Sequence, residues 1–346
     1  MTVTNWANRT RRVTMVLICL TLATAGCGGN SGGSDGGETI TLRFGHVFAE
    51  GSLQHEAIMR AVEQIEDETD GRVEIQVFPA GQLGSDSEMD EALQEGSLDM
   101  RAGTLPESKM PSLAIQAAPF LFDDPIVMQE TMRGDVANDL VWDPMKEELG
   151  VRLVDAWYTG TFTIFCNAEV TDPDSASGVK MRIAQTQNQV DQFEAMGFTA
   201  VPIPFPEAYL AFQTGVADCA YLSFPVLYEA KFDDVLQNLV DIPVGIPLNA
   251  LTISDRTWSK LSTDDQQVLQ SAFRDAGDQL TEETIAKEAE YRTEFEGSDS
   301  REIIEPDIEA FREAVEKDFL PDYDSVYGAG TYDALRDEAE KVKAAQ

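Results

Sequence analysis

The sequence predicts an α/β protein organised as two domains, with mostly parallel sheets flanked by helices. Three observations lead there. Strand and helix patterns alternate from the start of the globular part. About 310 residues follow the leader, enough for two cores. Apolar residues make up 43% of the chain. Thr39 to Val47 (TITLRFGHV) alternates and reads as an opening strand ending at His46. Residues 52–68 follow as a helix: Leu53, Ala57, Ala61 and Ile65 recur at every fourth position, joined by Ile58 and Val62, with acids opposite. Gly71 breaks it, and Val73, Ile75 and Val77 alternate as the next strand. Strand, helix, strand over this span is a βαβ unit, which implies a parallel sheet covered by helices. Ligands of such sheets sit beyond the carboxyl ends of the strands, where His46, Ala49 and Glu50 fall.

Further along, Val151 to Trp157 is a strand candidate, and Lys180 to Ile183 a short strand that presents Arg182. Ile242 to Ile253 returns in extended form, with Pro243 and Pro247 inside it. Ser262-Thr263-Asp264-Asp265 has the spacing of a capping box. It opens a long helix to about Arg292, with Leu269, Ala272, Phe273, Ala276 and Leu280 on one side. Ile308, Phe311, Val315 and Phe319 repeat at helical spacing, and a charged last helix runs from Ala334 to Lys343.

Residues 1–27 read as a processing signal. Arg11 and Arg12 precede an apolar run from Val13 to Ala25, too short to span a bilayer comfortably. Thr24-Ala25-Gly26-Cys27 then reads as a lipobox, with Thr24 where an apolar residue is usual. The expectation is a diacylglyceryl anchor on Cys27 followed by a glycine-rich tether over 28–38; an ordinary signal peptide cut near Ala25 is the alternative. The adjacent arginines suggest export in the folded state.

Asp and Glu number 62 against 25 Lys and Arg, a formal net charge of −37, and the leader contributes three bases and no acid. That balance excludes nucleic acid as a partner, because phosphate contacts need a basic surface. A dense acidic surface on an apolar core points to work in high salt, where self-repulsion is screened, as in a halophilic archaeon. Of the four cysteines, Cys19 and Cys27 belong to the leader and its end. Cys166 and Cys219 have no metal spacing and read as two buried free thiols, with a disulfide the alternative outside the membrane.

Chemistry of other kinds leaves no trace. His46 and His55 are the only histidines, with no third ligand for zinc. No G-x-S-x-G, G-x-G-x-x-G or G-K-[ST] motif occurs, and Gly81-Gln82-Leu83-Gly84 lacks the lysine of a phosphate cradle. Nothing matches an EF-hand, and no cofactor is implied.

The organising stretch is Gly178 to Asp218. A guanidinium at the end of a core strand has two readings, a salt bridge to one of the many acids or a clamp for a carboxylate, whose two oxygens match its planar fork. The stretch carries Gly178, Lys180 and Arg182; Phe193 and Gly197; then Pro202, Pro204, Phe205, Glu207, Tyr209, Ala211, Gln213, Gly215 and Asp218. This resembles the signature region of the extracytoplasmic solute-binding proteins of tripartite ATP-independent periplasmic (TRAP) transporters, the C4-dicarboxylate-binding type. Gly96-Ser97-Leu98-Asp99 and Pro119-Phe120-Leu121-Phe122 look like further elements of that family, so the resemblance runs from about Leu42 to Trp258.

The resemblance implies a two-lobed, venus-flytrap binding protein of the periplasmic-binding-protein kind, with a long helix spanning both lobes. Lobe 1 would comprise 39–159 plus 249–287, and lobe 2 160–248 plus 288–346. Such a protein captures an organic acid outside the cell membrane, delivers it to the TRAP permease subunits, and catalyses nothing. Arg182 would fix the carboxylate. His46, Glu50 and Gln185 would offer hydrogen bonds, while Trp157, Phe162, Tyr221 and Phe224 would line an apolar part. Many family members carry a second ligand-facing arginine where Phe162 stands, and the frequent polar pair after Asp218 is replaced by Cys219-Ala220-Tyr221-Leu222. Both departures favour a monocarboxylate with a hydrophobic or aromatic portion. The rivals are a secreted α/β hydrolase or lyase, which would need a positioned nucleophile or base, and a ligand sensor coupled to a membrane receptor. A neighbouring permease gene pair supports transport, and a histidine-kinase gene supports sensing.

Overall fold

The computed structural model describes residues 39–319, 321 and 323–346. The leader, Cys27 and the tether lie outside the described residues. Among the described residues, eleven strands form two sheets: β1 Ile40–His46, β2 Val73–Phe78, β3 Met100–Gly103, β4 Val151–Tyr158, β5 Phe162–Cys166, β6 Lys180–Ile183, β7 Thr199–Pro202, β8 Cys219–Leu222, β9 Asn238–Gly245, β10 Leu248–Ser254 and β11 Glu302–Ile304. The first sheet has the order β2-β1-β3-β10-β4, and the second β11-β9-β5-β8-β6-β7. Each is the centre of one lobe.

The opening βαβ unit forms as the periodicity requires. The helix Leu53–Glu68 buries Ala57, Ile58, Ala61, Val62 and Ile65 against the first sheet. Full burial of each large aliphatic side chain contributes about 1.5–3 kcal/mol. Ser52 caps the helix by accepting from the His55 amide. Asp70 and Gly71, both at positive φ, turn the chain into β2, which pairs in parallel with β1.

Both sheets are mixed. β1 pairs in parallel with β2 and β3, but β10 runs antiparallel to β3 and β4. In the second sheet β6 is parallel to β7 and β8, while β5 is antiparallel to β8 and β9. The expectation of mostly parallel sheets is refined here for a topological reason. The chain leaves the first sheet through β4 into β5 and returns through β9 into β10. Of these passing strands, β5 and β10 run against the βαβ strands β8 and β3 beside them.

The long helix covers Thr263–Glu296, 34 residues and about 51 Å. Ser262 accepts from the Asp265 amide at 3.1 Å and donates to its carboxylate at 2.7 Å, the cap read from the sequence. Its first half sets Leu269, Phe273 and Leu280 in the first core, and its end sets Phe295 in the second. Gly277 admits β4 closely, because a Cβ there would collide with the Trp157 indole. The helix Ile308–Asp318 buries Phe311 and Val315 against the second lobe, with Phe311 stacked on Phe198, while Ile308 is exposed. The last helix, Thr331–Ala345, buries Leu335 and Ala339 and packs against the helix Pro125–Arg133.

Cys166 and Cys219 are bonded to each other. This corrects the expectation of two free thiols: β5 and β8 pair in a register that sets these residues directly opposite.

Candidate ligand-binding cleft

The carboxyl ends of β1 and β3 face those of β6 and β8 across a cavity of about 110 Å³. The first lobe contributes Phe48, Gly103, Thr104 and Asn249, and the second Phe162, Arg182, Gln189, Phe205, Tyr221 and Leu222. A second cavity of about 60 Å³ adjoins it and shares Asp86, Thr104, Arg182, Ala184 and Phe205.

Arg182 is fixed by the strand that carries it and by the proline-rich turn beyond β7. Its Nε and Nη2 donate to the Ile203 carbonyl at 2.9 and 2.7 Å. Its guanidinium carbon lies 5.7 Å from the centre of the Phe205 ring. Only 7% of the residue is exposed, yet no carboxylate among the described residues makes a salt bridge with it. Nη1 has no acceptor among them either. Burial is the dominant influence and pulls the guanidinium down to about 10, with Asp86 opposing. A buried cation without a counterion is costly, and an anion entering the cavity removes that cost.

Asp86 opens the helix Asp86–Glu95 and lines both cavities, but its carboxylate is bonded to Arg101. Arg101 is fully buried, and its Nη1 donates to Asp90 at 2.6 Å and to the Thr104 carbonyl at 2.7 Å. Gly103, at φ 155°, leaves the space this folded-back side chain needs, since a Cβ there would collide with both Asp86 and Arg101. Arg101 thus has the ion partners that Arg182 lacks.

The other wall is aromatic. Phe162 and Tyr221 meet edge to face with ring centres 5.0 Å apart, and Phe193 packs behind Tyr221 at 5.1 Å. Burial raises the Tyr221 phenol, which stays protonated. Its hydroxyl has no hydrogen-bond partner among the described residues, leaving a donor for an incoming group.

Of the residues singled out from the sequence, Arg182, Phe162 and Tyr221 line the main cavity, and Gln185, exposed, lines the adjoining one. The other four lie elsewhere. His46 is buried beneath the Phe48 ring, and its Nε2 is 3.1 Å from His55 Nδ1. Burial, reinforced by His55, lowers His46 to about 3, so its ring is neutral. Glu50 sits exposed on the turn after β1 and acts electrostatically on His55. Trp157 points to the rear of the first sheet, where its indole donates to Asp155 and to the Phe273 carbonyl. Phe224 packs between Phe165 and Phe295 in the second core. Phe48, Asp86, Thr104, Gln116, Gln189 and Asn249 line the cavity without having been read from the sequence. They sit on strand ends, loops and short helices with no shared periodic pattern, although Met-Arg-Ala-Gly (100–103) repeats the arginine-in-a-strand signal of Arg182.

Two of the crossings between the lobes meet at one carboxylate. Glu288 of the long helix accepts from the Tyr158 hydroxyl and, at 2.6 Å, from the Thr161 amide. Gly160 lies between them at φ 117°, with Ser223 and Glu288 where a side chain would have to go.

Comparison with known proteins gives a consistent picture. The family described as bacterial extracellular solute-binding protein, family 7, matches residues 44–324. The sialic acid-binding periplasmic protein SiaP of Vibrio cholerae is 27% identical over 290 residues, covering 83% of this chain and 89% of that protein. A TRAP periplasmic solute-binding protein of Roseobacter denitrificans, solved with L-galactonate bound, superposes with a TM-score of 0.77 at 26% identity, covering 84% and 98% of the two chains. The sugar acid-binding protein DctPAm of Advenella mimigardefordensis, solved with galactonate, shares the fold with a TM-score of 0.82 at 23% identity, covering 88% and 99%.

Proposed function

Because the chain belongs to family 7 of the bacterial extracellular solute-binding proteins, a family of TRAP-type binding proteins and not of enzymes, we propose that it captures a monocarboxylate with an apolar or aromatic portion and delivers it to a TRAP permease. The carrying observation is Arg182: a buried guanidinium with no carboxylate partner, facing a cavity walled on the far side by Phe162 and Tyr221. The ligand carboxylate accepts from Nη1 and from the open edge of Nη2. Its apolar part lies against Phe162, Leu222 and Leu248, and a polar substituent meets the Tyr221 hydroxyl. The relatives solved with galactonate bind a polyhydroxylated acid; the two aromatic rings here favour a less polar tail.

The lobes divide at the crossings, 39–159 plus 249–287 against 160–248 plus 288–319, while the last helix, Thr331–Ala345, lies on the first-lobe helix Pro125–Arg133; they close around Gly160 and the segment after Gly245. Cys27 carries the lipid that holds the protein at the outer face of the membrane, with 28–38 as its tether. The acidic surface suits high external salt, as a halophilic archaeon would meet.

A thermal-shift screen at molar salt tests the ligand class, since anything binding only the native state raises the melting temperature. Aryl and branched monocarboxylates should give the largest rise. A response confined to dicarboxylates would refute the reading of Phe162, and a response confined to neutral solutes would refute the Arg182 clamp.

A further inference from the structure

Two carboxylates, one buried and one half-buried, cross from one lobe to the other, in opposite directions. Glu229 ends the helix Phe224–Glu229 of the second lobe, and its Oε1 lies 3.4 Å from the amide of Leu53. Leu53 begins the first-lobe helix Leu53–Glu68, whose own cap, Ser52, serves the His55 amide and leaves Leu53 open. Glu107, on the loop after β3 in the first lobe, is buried and lines one cavity with Thr186 and another with Asn188. Those residues begin the second-lobe helix Gln187–Ala195, where Thr186 makes no side-chain capping bond. Each lobe thus places a carboxylate against the amino end of a helix in the other.

The surroundings decide which protonation state the closed form prefers. Glu229 meets Glu56 of the first lobe, which opposes its charge, and Lys287 of the long helix, which supports it. Glu107 meets Asp191 on the helix it faces. The cavity on one side of Glu107 also holds Asp86, Asp90, Glu91, Lys109 and Arg182, and the cavity on the other side Glu194 and Asp318. Neither carboxylate makes a salt bridge among the described residues. Desolvation therefore outweighs the favourable contacts, and each group is pushed up to about 7. An opened cleft would return both to water.

We propose that Glu107 and Glu229 make closure of the lobes proton-linked: shutting the cleft draws a proton from solvent onto each carboxylate, and opening releases it. This rests on reading the chain as a binding protein whose lobes close on a ligand. A carboxylate that holds its proton more tightly in the closed form favours that form as pH falls through about 7, until the ordinary carboxylate range is reached. Going from pH 8 to pH 5 raises the closed-to-open ratio by on the order of 50-fold per carboxylate. Capture is then favoured on the acidic side and release on the alkaline side.

The test measures the distance between the lobes in the ligand-free protein by pulsed electron spin resonance, with spin labels at Glu74→Cys and Gln213→Cys in molar salt. The short-distance population should grow as pH falls from 8 to 5. The Glu107→Gln/Glu229→Gln double variant, carrying neutral isosteres, should show the short distance already at pH 8 and respond little to pH; each single variant should keep about half the response on a logarithmic scale. A distribution that ignores pH with both glutamates present, or an unchanged pH response in the double variant, overturns the proposal. No ligand enters this measurement, so its failure leaves the carboxylate clamp standing, and failure of the clamp leaves this result standing.

Discussion

Replacing Arg182 by methionine should weaken ligand binding strongly while leaving the empty protein as stable as before, or more so. The two effects have different physical sources. In the complex the guanidinium supplies charge-assisted hydrogen bonds inside a closed cavity, and truncating one partner of such a pair costs on the order of 2–5 kcal/mol, roughly 30- to 5,000-fold in Kd. In the empty protein the same group is a liability. Burial pulls it to about 10, and such a displacement from its ordinary range corresponds to about 3 kcal/mol of unfavourable burial. Against that stand two hydrogen bonds to the Ile203 carbonyl, together about 2–3 kcal/mol. The balance is near zero or in favour of methionine. Calorimetric titration with the best monocarboxylate from the screen, beside scanning calorimetry of the ligand-free variant, measures both quantities. Less than tenfold weakening would refute the clamp. A large loss of stability without ligand would show that Arg182 serves the fold instead.

Arg101→Met should behave oppositely, because it strands Asp86 and the buried Asp90; we expect a loss of about 3–5 kcal/mol in denaturant unfolding. Phe162→Arg places a second guanidinium beside the first and should move preference toward dicarboxylates by tenfold or more in competition titrations; an unchanged ranking would mean Phe162 does not set specificity. Gly160→Ala, at positive φ and against Ser223, should cost about 1–3 kcal/mol of stability, measured by thermal unfolding. The buried His46, held neutral to about 3, should keep an unshifted imidazole NMR signal from pH 8 to 5. Its stabilising contribution is complete above the ordinary histidine range and is lost as pH falls from there toward 3.

Local patterns were legible, and pairings across the sequence were not. The helix Leu53–Glu68 and the long helix announce themselves through apolar spacing and a capping serine, which depend on neighbours only a few residues away. Arg182 stood out because a charged side chain in a short core strand conflicts with its surroundings. The same conflict exists at Arg101, but its resolution by Asp86 and Asp90 depends on how the following loop folds back. Trp157 and Phe224 show the limit most clearly. Both lie close to cavity residues in sequence, yet side chains alternate across a strand and the long helix covers the rear of the first sheet. Only knowing which face it covers tells Trp157 from a ligand contact. The Cys166–Cys219 bond likewise follows from the β5–β8 register, 53 residues apart in sequence.

The isolation of Arg182 is more informative here than it would be in a protein of balanced charge. With 62 acids against 25 bases, a guanidinium needs little rearrangement to find a carboxylate. Arg101, Arg133, Arg292 and Arg301 have each found one or more. Around Arg182, Asp86 is the carboxylate that acts on it, and that group is committed to Arg101. The neutral Ile203 carbonyl holds the guanidinium in orientation without cancelling its charge. A fold could lower its free energy by turning an acid toward this group, yet the inner wall offers Phe205, Phe162 and Tyr221 instead. On the proposed reading the missing charge is the ligand's carboxylate, and its arrival removes the cost of burying the guanidinium.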